Sequence, residues 1–108
     1  MKVSELAAKA GLKAFNNPVD KDIQGVYISD MVSDIIGIKE GNLLITLRTH
    51  KNLIAAANLV DVAAIVFSRG KVPAEDVVAL ANKAGIMLLG YEGDTWTLAK
   101  QLYELGVR

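Results

Sequence analysis

One histidine occurs in the chain, His50, within Arg48-Thr49-His50-Lys51-Asn52. An imidazole there could act as a general base or hydrogen-bond an anion. An aliphatic run, "NLLITL", precedes this turn, and an alanine-rich stretch, "LIAAANLV", follows it. The same arrangement recurs twice. "AAIVFS" leads into Arg69-Gly70-Lys71, and "IMLLG" leads into Tyr91-Glu92-Gly93-Asp94-Thr95. Ser68, His50 and Asp94 could in principle form a nucleophile, base and orienting acid. No nucleophile-elbow sequence supports that combination, so hydrolytic catalysis is not expected.

Other chemistries are excluded more firmly. None of the nine glycines stands at phosphate-loop spacing before Lys-Ser or Lys-Thr, and no three-glycine dinucleotide fingerprint occurs. With one histidine and no cysteine, thiolate chemistry, disulfides and the usual zinc sites are impossible. No Asp/Glu cluster has calcium-loop spacing. The reading therefore contains no catalytic residue, no metal and no cofactor.

Twelve Lys and Arg balance twelve Asp and Glu, and the basic residues are scattered. That distribution offers no footprint for nucleic acid or an anionic membrane. No apolar run approaches the roughly 20 residues needed to span a bilayer. Glu5 and Lys9 interrupt the apolar residues of the opening segment, unlike a secretory leader. A cytoplasmic protein, with residues 1–108 forming one domain, is expected.

Three successive strand-then-helix units must position the polar turns: "NLLITL" with "HKNLIAAANLVD", "AAIVFS" with "PAEDVVALANKAG", and "IMLLG" with "DTWTLAKQLYELG". The strand candidates are continuously aliphatic, as required when helices cover both faces of a sheet. "SELAAKAG" predicts an opening helix capped by Ser4 and ended by Gly11. "LKAF" and "GVYIS" predict further strands, and "DMVSDIIG" a short helix capped by Ser29 or Asp30. Thr49 and Asp94 are expected to cap their helices, with Pro73 in a first turn. The buried-all-round character of "LIAAANLV" would require a partner for Asn58. The last helix carries Leu98, Leu102 and Leu105 in one stripe. Trp96, Ala99 and Tyr103 form another, a core margin or a self-association surface. The fold class expected is α/β: a single-domain three-layer sandwich with a mainly parallel sheet.

In such a sheet the loops leaving the C-terminal strand ends share one edge, where ligands commonly bind. Here that edge offers Thr49, His50, Asn52, Ser68, Arg69, Gly70, Asp94 and Thr95. A small anionic metabolite or nucleotide would suit it. The same residues also read as ordinary caps and turns.

"GVYISDMVSDIIG", "GNLLITLRTHKNLIAAANLVDVAAIVFSRGKVP" and "ALANKAGIMLLGYEGDTWTLAKQLYELG" together resemble the DRTGG domain family, over most of the chain. The family is similar to the N-terminal, non-catalytic domain of HPr kinase/phosphorylase. It also occurs beside CBS domains in regulated pyrophosphatases and next to phosphotransacetylase catalytic domains. The resemblance implies a non-enzymatic regulatory or dimerisation module that forms a homodimer. The catalytic phosphate loop of the full kinase lies outside such a module, so a kinase activity is not implied. Where the family usually reads close to Thr-Gly-Gly, this chain has Ser68-Arg69-Gly70, exchanging backbone freedom for a positive charge. The alternative expectation is an interaction subunit or adaptor of a metabolic or redox enzyme complex.

Overall fold

The computed structural model describes residues 1–107. In chain order its elements are α1 (Val3–Ala10), β1 (Lys13–Ala14), β2 (Gly25–Ile28), α2 (Val32–Ile35), β3 (Asn42–Thr46), α3 (Lys51–Leu59), β4 (Ala64–Phe67), α4 (Glu75–Ala84), β5 (Leu88–Gly90) and α5 (Thr95–Glu104). The five strands form one sheet in the order β1-β5-β4-β3-β2. β2 to β5 run parallel in sequential order, and β1 joins β5 antiparallel at the far edge. The expected α/β sandwich with a mainly parallel sheet is therefore the observed one.

The aliphatic strands feed two cores because successive side chains point to opposite faces. Leu43, Ile45, Ala64, Val66 and Leu89 pack with Val3, Leu6 and Ala10 of α1 and with Leu98 and Leu102 of α5. Leu44, Ile65, Phe67 and Leu88 pack with Ile35, Leu53, Ile54, Val77 and Ala81 of α2, α3 and α4. Three helices thus cover one face and two the other. The chain leaves β2, β3 and β4 toward the first face but leaves β5 toward the second.

Local signals place several boundaries as expected. Gly11 and Gly85 end α1 and α4 in left-handed conformations, and Asp94 caps α5. Others are corrected. Ser4 lies inside α1 and caps nothing; its N–H and hydroxyl both donate to Asp20, at 2.9 and 2.8 Å. A carboxylate sixteen residues away does the capping instead. Met31 is the residue before α2. Ser29 accepts from the Met31 N–H, while Asp30 turns toward β3. His50, not Thr49, caps α3. Pro73 precedes α4, whose N-cap is Ala74. Asn58 is exposed, as are Ala55 and Leu59, so α3 presents a solvent side and Asn58 needs no buried partner.

Candidate functional site

The loops at the C-terminal end of the sheet are braced by side chains from neighbouring exits. Thr46, buried at the end of β3, donates its hydroxyl to Asp30 Oδ1 at 2.9 Å. The Leu47 N–H donates to the same oxygen at 2.8 Å. Thr46 Oγ1 in turn accepts from the Arg48 N–H at 3.1 Å. Asp30 thereby fastens the β3 exit to the β2 exit, a role its sequence position after "GVYIS" did not reveal.

That brace leads directly into the His50 turn. His50 takes an extended backbone conformation, and its Nδ1 accepts from the Asn52 N–H at 3.1 Å. Histidine seldom features among cap residues, but a neutral ring nitrogen is a competent acceptor. Thr49 is half-buried, whereas His50 and Asn52 are exposed. A cavity of about 480 Å³ opens between this turn and the start of α4. Arg48, Thr49, His50 and Lys51 line one side, and Ala74, Asp76 and Val77 the other. Among the described residues, Arg48 and Lys51 enter no ion pair, nor does Asp76. The cavity therefore carries two cations, one opposing carboxylate and an imidazole, a set suited to a small anion with hydroxyls or ring nitrogens. Arg48, Lys51 and Asp76 are the site members missed in the sequence. Their signal is the clustering of Arg, His and Lys within four residues at a strand end.

The remaining candidates form a second, tighter group. Ser68 is fully buried, and its hydroxyl lies 2.7 Å from Thr95 Oγ1. The Arg69 N–H donates to the Gly93 carbonyl at 2.8 Å and the Gly70 N–H to the Tyr91 carbonyl at 2.9 Å. Asp94 Oδ1 accepts from the Thr97 N–H at 2.7 Å. Hydrogen bonds from Thr97, through its side chain and then its backbone, hold the Asp94 carboxyl below the ordinary carboxylate range, with Lys100 and Arg69 adding weaker attraction. Arg69 and Gly70 both have left-handed backbones, at φ 58° and 67°. The arginine bears a conformation normally left to glycine.

This group occupies the point where adjacent strands send their chains to opposite faces, a place where α/β sheets often open a crevice. Here backbone hydrogen bonds tie residues 67–70 to residues 91–93 across it. The N–H groups of Arg69 and Gly70 are spent on the Gly93 and Tyr91 carbonyls and are closed to a phosphate. Among the described residues, no hydrogen bond joins this group to Thr49, His50 and Asn52. The eight candidates thus fall into a laced pair of loops and an open cavity beside it.

A family model described as the DRTGG domain matches residues 6–105. The chain belongs to the DRTGG domain family. Among solved structures, the CBS and DRTGG domains of the regulatory region of Clostridium perfringens pyrophosphatase, complexed with the activator diadenosine tetraphosphate, share its fold. The TM-score is 0.71 at 17% identity, covering 93% of this chain and 45% of that one. This DRTGG domain thus spans less than half of that regulatory region. No curated protein matches the sequence. Among its described residues no helix is long and apolar enough to cross a membrane, and no group of three or more His, Asp or Glu could hold a metal ion.

Proposed function

We propose that residues 1–108 act as one non-enzymatic regulatory and dimerisation module that senses a small anionic metabolite or nucleotide. The observation that carries the ligand part is the cavity in which Arg48, His50 and Lys51 face Ala74 and Asp76. Arg48 and Lys51 would meet phosphate or carboxylate oxygens, and His50 and Thr49 would hydrogen-bond a base or hydroxyl. Arg69, on the neighbouring loop, adds positive charge to the same edge, while Asn52, Ser68, Gly70, Asp94 and Thr95 hold the loops in shape. The solved relative, a regulatory region bound to a nucleotide activator, supports the ligand class. Similarity to the non-catalytic domain of HPr kinase/phosphorylase and a cytoplasmic location belong to the same reading.

Calorimetry against inorganic phosphate, AMP, ATP and diadenosine tetraphosphate tests it. Arg48→Gln with Lys51→Gln should weaken binding at least tenfold. His50→Asn is the informative imidazole variant, because an Asn side chain retains a cap acceptor that alanine would remove. No heat of binding across the panel would refute the sensing function.

Trp96 and Tyr103, exposed to 70% and 63%, favour a second reading, an adaptor subunit for a metabolic or redox enzyme. Co-purification of a larger enzyme, together with no small-molecule binding, would select it.

A further inference from the structure

The two edges of the sheet are built differently. β1 is two residues long, carries Lys13, and is continued by the Asn16 side chain, which donates to the Ile86 carbonyl and accepts from the Leu88 N–H. A short, charged, side-chain-terminated edge resists pairing with another chain. β2, at the opposite edge, has none of these protections. Residues 24–29 read Gln-Gly-Val-Tyr-Ile-Ser, with no charge and no proline. Among the described residues no strand lies beyond it.

The ladder fixes which groups β2 offers. The Ser29 N–H donates to the Ile45 carbonyl, and Ile28 is paired with Ile45. In a parallel ladder alternate residues turn their backbone to the neighbour. Gly25, Tyr27 and Ser29 therefore face β3, while Val26 and Ile28 direct N–H and C=O outward. An apolar groove of about 520 Å³ runs beside this edge, between β2 and α5. Tyr103 lines it, Trp96 lies further along α5, and Ile28 itself is 50% exposed.

From this we propose that β2 pairs antiparallel with the β2 of a second copy, joining two sheets into one of ten strands. The surface deepens the dimer part of the function proposed above and rests on it. Full overlap of residues 25–29 with themselves puts Tyr27 on the two-fold axis. Val26 then exchanges both backbone hydrogen bonds with Ile28 of the second copy. An axis perpendicular to the sheet keeps α5 on the same face in both copies, so the two helices meet antiparallel. Lys100 and Glu104 flank Trp96 and Tyr103 on that helix, and among the described residues they are not ion-paired to each other. Across the axis each lysine approaches the second copy's glutamate, the self-complementary pattern of a two-fold interface. Trp96 and Tyr103 alone expose on the order of 250 Å². Ile28, Met31 and Ile36, exposed on β2, at the β2 exit and just past the end of α2, add to this. With the strand edge, the surface comes within reach of the roughly 800 Å² per partner of a stable interface.

Light scattering should give about twice 11.6 kDa for the native chain. Ile28→Lys with Trp96→Glu should leave far-UV circular dichroism unchanged and shift the species to half that mass. Lys100→Glu and Glu104→Lys should each weaken the dimer, and the double exchange should restore it. The chain has no cysteine, so Tyr27→Cys provides a test independent of the folding of the other variants. Mild oxidation should yield a disulfide-linked dimer, because paired residues on a two-fold axis lie within disulfide range. A monomer at high concentration overturns both the surface and the dimer reading. A dimer that survives Ile28→Lys with Trp96→Glu and does not cross-link through Tyr27→Cys overturns the surface alone.

Discussion

Arg69 allows a backbone term and a charge term to be separated. Its φ of 58° lies in the left-handed region, its side chain is exposed, and among the described residues its guanidinium makes no hydrogen bond or ion pair. A left-handed conformation costs an L-residue about 1–2 kcal/mol. Glycine avoids that cost but loses about 0.5–1 kcal/mol more than alanine through chain entropy. Arg69→Gly should therefore stabilise the fold by about 0.5–1 kcal/mol, raising Tm by roughly 2–6 °C for a domain of this size. Arg69→Ala keeps the strained backbone and removes only an exposed side chain, so it should stay within about 0.5 kcal/mol of the native chain. Urea unfolding and thermal melts of the three proteins measure both differences. In anion titrations the two variants should lose affinity equally, because both lack the guanidinium. If Arg69→Ala proves as stable as Arg69→Gly, the residue is not left-handed and the argument fails. A large loss of stability in both would instead mean that the arginine side chain holds the two loops together.

Thr95→Val would leave the fully buried Ser68 hydroxyl without its partner, at a cost of about 1–3 kcal/mol in urea unfolding, whereas Thr95→Ser should be close to neutral. Asp30→Ala removes the acceptor shared by Thr46 and Leu47; it should cost about 1–2 kcal/mol and accelerate hydrogen exchange at the Leu47 amide. The Asp94 carboxyl is depressed in the folded state, so its contribution is present above the ordinary carboxylate range and lost as pH falls through its lowered value. Asp94→Asn keeps a cap acceptor without that titration, and a urea series from roughly pH 5 to pH 2 should show a shallower acid limb. Asp20, lowered by its bonds from Ser4, acts in the same direction and should leave part of the slope in place.

What could be read in advance was what depends on neighbours in sequence. Gly11 and Asp94 end or begin helices through bonds spanning a few residues, and both were legible. Ser4 was misread because its partner, Asp20, arrives from a loop that only the folded chain brings near. Asp30 looked like a local cap, yet β3 pairing offered it two donors at Thr46 and Leu47. The His50 cap was displaced by one residue because the acceptor is a ring nitrogen instead of a hydroxyl. The division of the candidate edge was equally hidden. Nothing in Ser68-Arg69-Gly70 or Tyr91-Glu92-Gly93 reveals that the Arg69 and Gly70 amides bond the Gly93 and Tyr91 carbonyls. That depends on β4 and β5 being adjacent and on their exits diverging.

The sheet also acts as a partition between two reservoirs of sequence change. Leu6 on one side and Leu53 on the other belong to separate clusters that share only the strands between them. Substitutions on opposite sides should combine additively, with no compensating change demanded across the layer. Each layer can then drift on its own schedule while the strands keep the frame. Such a partition would let a fold persist while most of its side chains change.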